Sequence, residues 1–196
     1  MERRNVLLMI LFLSISEISA KELWHGFTTE MDYNQVVSKI KAEYKITYIQ
    51  KYDEYFGPFA FYPDGYRIWD YHVDRKLIRY SYDIDHVGVY RITADFLYGK
   101  LMAIEVNYHA SEYTGKEKMI NHFGKPHGYY TSPIFNTTHN YYWLVNGVII
   151  LQSYSSCSYT DEVSRKKLIV LYEDYIKRCE REATEREVKE NSSIVF

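Results

Sequence analysis

Between Val89 and Tyr108 the chain alternates with period two. Tyr90, Ile92, Ala94 and Phe96 fall on one side and Arg91, Thr93 and Asp95 on the other; beyond Tyr98-Gly99, Met102, Ile104, Val106 and Tyr108 oppose Glu105 and Asn107. This alternation predicts two antiparallel strands with one buried and one solvated face. Tyr66–Val73 and Lys76–Asp83, joined at Asp74-Arg75, predict an earlier pair, and Ile46–Tyr52 a strand ahead of them. Further on, Tyr141–Val145 and Val148–Tyr154 flank Asn146-Gly147, a strong signal for a two-residue hairpin. Lys166–Tyr172 predicts one more strand, after a polar loop from Ser155 to Arg165.

Elsewhere the apolar spacing is helical. Asp32 with Gln35 three residues on forms a capping box, Met31 can staple onto Val36, and Tyr33, Val36, Val37, Ile40 and Tyr44 then share one face. Thr114 with Glu117 repeats the box ahead of Met119, Ile120 and Phe123, and Gly124 with Pro126 marks the exit. From Glu173 to Glu190 the chain is charged, with a narrow stripe of Tyr172, Tyr175, Ile176, Cys179 and Ala183 and i,i+4 pairs such as Glu173 with Lys177. These residues predict a helix whose first turns dock and whose end beyond Ala183 frays. The expected fold class is α+β: two helix-plus-antiparallel-sheet units, 21–110 and 111–172, forming one curved or continuous sheet, followed by a C-terminal charged helix and tail, 173–196.

The N-terminus changes this picture in one respect. Arg3 and Arg4 precede an unbroken apolar run, Val6–Leu13, and Ile18-Ser19-Ala20 offers a small residue for cleavage, so 1–20 reads as a signal peptide. The run is too short to span a bilayer, no later segment reaches spanning length, and no cysteine near Ala20 supplies a lipid anchor. The chain is therefore expected to be secreted or periplasmic, with no transmembrane span after cleavage. Its net charge of -2 is unchanged by removing Glu2, Arg3, Arg4 and Glu17, and argues against nucleic acid, which needs a clustered basic footprint. Tyrosine is the outlier at 22 residues, suited to strand positions and half-wet interfaces.

Candidate chemistry is sparse. Tyr55, Phe56, Phe59, Phe61 and Tyr62 crowd a loop punctuated by Gly57-Pro58 and Pro63-Asp64-Gly65; a loop so apolar must fold onto the core or meet a partner. Tyr141 and Trp143 on the hairpin are further binding candidates. Asp83, Asp85 and His86 place two carboxylates and an imidazole at a strand end, the alternative reading being a metal-dependent hydrolase, although Asp and His are also ordinary turn residues. Cys157 and Cys179 could pair in an oxidising compartment, closing a loop worth roughly 3–4 kcal/mol. Neither a nucleophile elbow nor a phosphate-cradling glycine loop occurs, and no cofactor is implied. Asn136-Thr137-Thr138 and Asn191-Ser192-Ser193 are glycosylation sequons.

Gly26-Phe27-Thr28 before the first helix, and Phe123-Gly124-Lys125-Pro126 closing the second, resemble short motifs of exported bacterial domains related to BamE/SmpA and the β-lactamase-inhibitor-protein fold. That resemblance implies a protein-binding or envelope-assembly module without catalysis. The expectation is thus an exported, non-enzymatic protein whose partner is another protein or a cell-envelope component, the alternatives being the metal-dependent hydrolase or a structural envelope protein.

Overall fold

The structure, a computed structural model, describes residues 20–52, 76–109, 115–131 and 139–193. The expected signal segment before Ala20, the aromatic loop with Tyr55, Phe56, Phe59, Phe61 and Tyr62, the strand Tyr66–Val73, the cap Thr114 and the sequon at Asn136 lie outside them. Among the described residues the protein is α+β, with three helices, a large antiparallel sheet and a small one.

The small sheet is a hairpin of β1 (Glu22–Trp24) and β2 (Phe27–Thr28), turning through His25 and Gly26 at positive φ. It buries Trp24 and Phe27, stacked with centroids 5.7 Å apart, into the main core. Helix α1 (Tyr33–Glu43) follows and starts where its capping box requires: the Gln35 N–H donates to Asp32 Oδ1 at 3.0 Å, and the Asp32 N–H donates to Gln35 Oε1 at 2.9 Å. Val36 and Ile40 are fully buried, and Tyr33, Val37 and Tyr44 pack beside them, as the spacing predicts. Helix α2 (Gly115–Phe123) ends at Gly124, whose φ of 77° suits glycine and whose N–H donates back to Ile120 O at 2.8 Å.

The large sheet holds β3 (Lys45–Tyr52), β4 (Leu77–Asp85), β5 (Val89–Leu97), β6 (Lys100–Tyr108), β7 (Gly128–Thr131), β8 (His139–Val145), β9 (Val148–Gln152) and β10 (Ser156–Asp161). Its spatial order is β3-β4-β5-β6-β10-β9-β8-β7. Both sides of β4 are taken, by β3 and by β5, so the expected partner of Lys76–Asp83 is corrected to these two strands. The β8–β9 hairpin turns at Asn146 and Gly147, with φ of 50° and 74°, the positive pair a tight two-residue turn demands.

Two expectations fail together near the C-terminus. Ser156–Asp161, expected as loop, is strand β10, and Lys166–Tyr172, expected as strand, belongs to helix α3 (Glu162–Ser193), which crosses the 172/173 division without a break. The helix begins at a cap: the Ser164 N–H donates to Asp161 Oδ2 at 2.7 Å. Burial pushes the Asp161 carboxyl up, but bonds from Ser164 and the Lys21 ammonium 3.0 Å away outweigh it and hold the group below its usual range. Arg165, Leu168 and Leu171 then recur at helical spacing on the docked side, with Arg165 and Leu168 buried. From Glu180 to Lys189 every side chain is exposed, and the helix is continuous to Ser193.

Pairing register assigns the faces. Tyr82, Ile92, Ala94, Ile104, Val106, Trp143, Ile150, Cys157 and Tyr159 share the face packed by the β1–β2 hairpin, α1 and α2. There Tyr33, Tyr80, Tyr82 and Phe96 form an aromatic cluster. Tyr82 is fully buried, burial pushes its phenol up, and among the described residues its hydroxyl has no hydrogen-bond partner. Removing an unpaired buried hydroxyl relieves a desolvation cost, so Tyr82→Phe should stabilise the fold by about 1 kcal/mol, read as a raised urea midpoint at unchanged slope.

Candidate binding face

The opposite face of the sheet carries the polar half of the alternating strands β5, β6 and β10 and, on β8 and β9, Tyr142, Leu144, Ile149 and Leu151. Register lines these residues into lateral rows. The central row runs Gln50, Ser81, Thr93, Glu105, Ser158, Leu151, Tyr142 and Gly128, one residue from each strand. On one side lies the row Tyr52, Arg79, Asp95, Ala103 and Thr160; on the other lies Tyr48, Asp83, Arg91, Asn107 and Ser156. Helix α3 covers one end of this face, where Leu168 packs on Leu77, Leu97, Met102 and Ala103.

This face is not uniformly solvated, contrary to the plain reading of the alternation. Thr93 and Asp95 are 7% and 6% exposed, and Arg79 is buried with them. Arg79 donates from Nε and Nη2 to the two carboxylate oxygens of Asp95, a bidentate cross-strand pair. Arg91, exposed, donates from Nε to Asp83 Oδ1 at 2.8 Å. Glu105 and Ser158 remain partly accessible between these pairs, and Tyr48 is 58% exposed at the β3 end. Burial pushes the Glu105 carboxyl above its ordinary value, the nearby Asp95 adding to this; Arg79, the Ser156 hydroxyl and Arg91 act against it.

The residues singled out from sequence fall in different places. Trp143 is fully buried on the helix-covered face, its Nε1–H donating to Gly124 O at 2.9 Å, so in this conformation it packs and does not face a partner. Tyr141 is partly buried on the same face, with Lys116 Nζ 2.8 Å from its hydroxyl and 4.4 Å from its ring centroid. Asp83 holds Arg91, Asp85 holds Lys45 at 2.8 Å, and His86 accepts at Nδ1 from the N–H groups of Gly88 and Val89 at 3.1 and 3.3 Å. These three are not gathered on a common point, and among the described residues no three His, Cys, Asp or Glu side chains are placed to hold a metal ion. Cys157 and Cys179 are both free thiols; Cys157 is buried in the core, which pushes its thiol up to about 12, whereas Cys179 lies on α3.

Sequence reasoning missed the central row because its strands were not all identified. Ser156-Cys157-Ser158-Tyr159-Thr160 does alternate small polar with larger residues, which was the available signal, but serine-rich stretches also form loops. Without β10 there was no way to set Ser158 beside Glu105. Among the described residues no helix is long and apolar enough to cross a membrane. No protein-family model matches the chain, and no curated protein or solved structure matches it either.

Proposed function

We propose that this chain is an exported, non-enzymatic binding protein, built as two similar helix-plus-sheet units, that engages a protein or envelope component through the sheet face opposite α1 and α2. The observation that carries this reading is the central row: across the eight described strands of the sheet, part of one lateral line of Gln50, Glu105, Ser158 and Tyr142 is exposed, flanked by Tyr48 and Arg91. Accessible tyrosine and arginine beside small hydroxyl residues are a composition that suits protein recognition. The strand order supports the two-unit part of the reading, since each half of the sheet is a four-strand meander following one short helix. Export rests on the basic start, short apolar run and small residues of 1–20.

The test is capture from a solubilised envelope fraction on the immobilised protein. Tyr48→Arg and Ser158→Arg change side chains that face outward and should reduce capture at least tenfold while thermal unfolding stays cooperative. Tyr129→Arg, at an exposed position on the other face, should leave capture unchanged. Equal capture by all three variants would overturn the assignment of this face.

A further inference from the structure

Among the described residues on the face opposite α1 and α2, Asp95 and Asp83 are each held by an arginine and Glu105 is not, while a further guanidinium, Arg165 of α3, lies buried where that helix covers the end of the face. Arg79 gives both of its forked N–H groups to Asp95, its directly opposite neighbour on β5. Arg91 is likewise held by its opposite neighbour Asp83 on β4. Each guanidinium is thus neutralised within the sheet. Glu105 lies in the row between the two pairs, and its own opposite neighbours are Thr93 on β5 and Ser158 on β10, neither of them basic. Its hydrogen bond comes from the Ser156 hydroxyl, and among the described residues it forms no ion pair. The charged groups that act on it are Arg79 and Arg91, which favour its ionisation, and Asp95, which opposes it.

A carboxylate in a densely packed surrounding without its own cation is costly, and a donor brought by another molecule relieves that cost. We infer that the partner of this face delivers a basic side chain, an arginine or lysine, onto Glu105. This rests on reading the face as a docking surface and specifies the chemistry of what docks. The position discriminates among cations. A divalent ion needs several oxygen ligands, but the carboxylates of Asp95 and Asp83 in the flanking rows already accept from arginines, which leaves Glu105 among hydroxyl groups. A guanidinium or ammonium requires only the carboxylate, with Ser158 and Thr93 beside it as acceptors for its remaining N–H groups. An anionic partner would find both arginines occupied and Glu105 repelling it.

The full folded chain, labelled at its glutamate carboxyl carbons, can be titrated with acetyl-Gly-Arg-Gly-amide, using the citrulline peptide as an isosteric neutral control. A saturable shift of the Glu105 resonance is expected at pH 8, at least tenfold weaker with citrulline and weakening as the pH is lowered and the carboxylate, raised above its ordinary value by burial, is protonated. Other resonances should show no saturable response in Glu105→Gln. Ser158→Lys supplies a cation from within the sheet and should also abolish the response without removing the carboxylate. No saturable shift, an equal citrulline response, or persistence of the same peptide response in Glu105→Gln would overturn the inference. Envelope capture that survives Glu105→Gln, with no arginine response, overturns this inference alone. Capture unaffected by Tyr48→Arg and Ser158→Arg, despite an arginine response, overturns the docking reading instead.

Discussion

Arg79→Met should destabilise the fold by about 3–5 kcal/mol, because it leaves the Asp95 carboxylate buried without the fork that holds it. The double change Arg79→Met with Asp95→Leu should recover most of that loss, since it removes both charges and retains apolar volume. Urea unfolding of the two variants beside the parent measures the difference as a shift in midpoint. A single variant within about 1 kcal/mol of the parent would mean that water reaches Asp95 and that the pair behaves as a surface ion pair. The cycle also separates two roles of the face. If the double variant folds well and still captures its partner, the Arg79–Asp95 pair serves the sheet and the recognition belongs to the neighbouring rows.

Trp143→Ala is expected to cost a similar 3–5 kcal/mol through the other face. The indole is fully buried, lies 6.4 Å from the Phe123 ring centroid and gives its N–H to Gly124 O, so it joins β8 to the end of α2. Truncation leaves a cavity and also an unpaired carbonyl at the helix exit. Trp143→Phe keeps much of the volume and loses the hydrogen bond, so its smaller cost, about 1–3 kcal/mol, isolates the polar part. Hydrogen exchange at Ile120 to Gly124 should rise more in the alanine variant than exchange in β4 and β5, because the tie is local to α2. Uniform loss of protection across the chain would show that α2 has no separate dependence on Trp143.

What the sequence revealed follows from how local each determinant is. The α1 cap, the Gly124 exit and the Asn146-Gly147 turn were readable because each is set by residues within one turn of chain. The start of α3 was not. Leu168-Ile169-Val170-Leu171 has the β-branched run of a strand, but Asp161 caps Ser164 and Leu168 packs across the sheet, and these tertiary contacts decide for helix. Alternation correctly separated Thr93 and Asp95 from Ile92 and Ala94, yet could not report that the second face is partly buried. The candidate face was least legible of all. Glu105 and Ser158 are 53 positions apart and become neighbours only through the β6–β10 pairing, which no local pattern announces.

That pairing also bears on how the molecule assembles in time. Among the described strands, every other ladder in the large sheet joins strands that follow one another, across shorter intervening stretches of chain. Joining β6 to β10 instead requires closure of a loop of about 50 residues, an entropic cost that must be met before the new contacts compensate for it. The two meanders are thus the fast, local events, and the β6–β10 seam is the slow one that sets the folding rate. Until it closes, β6 and β10 each present a bare edge, so the seam is also where two chains folding at high concentration would exchange halves.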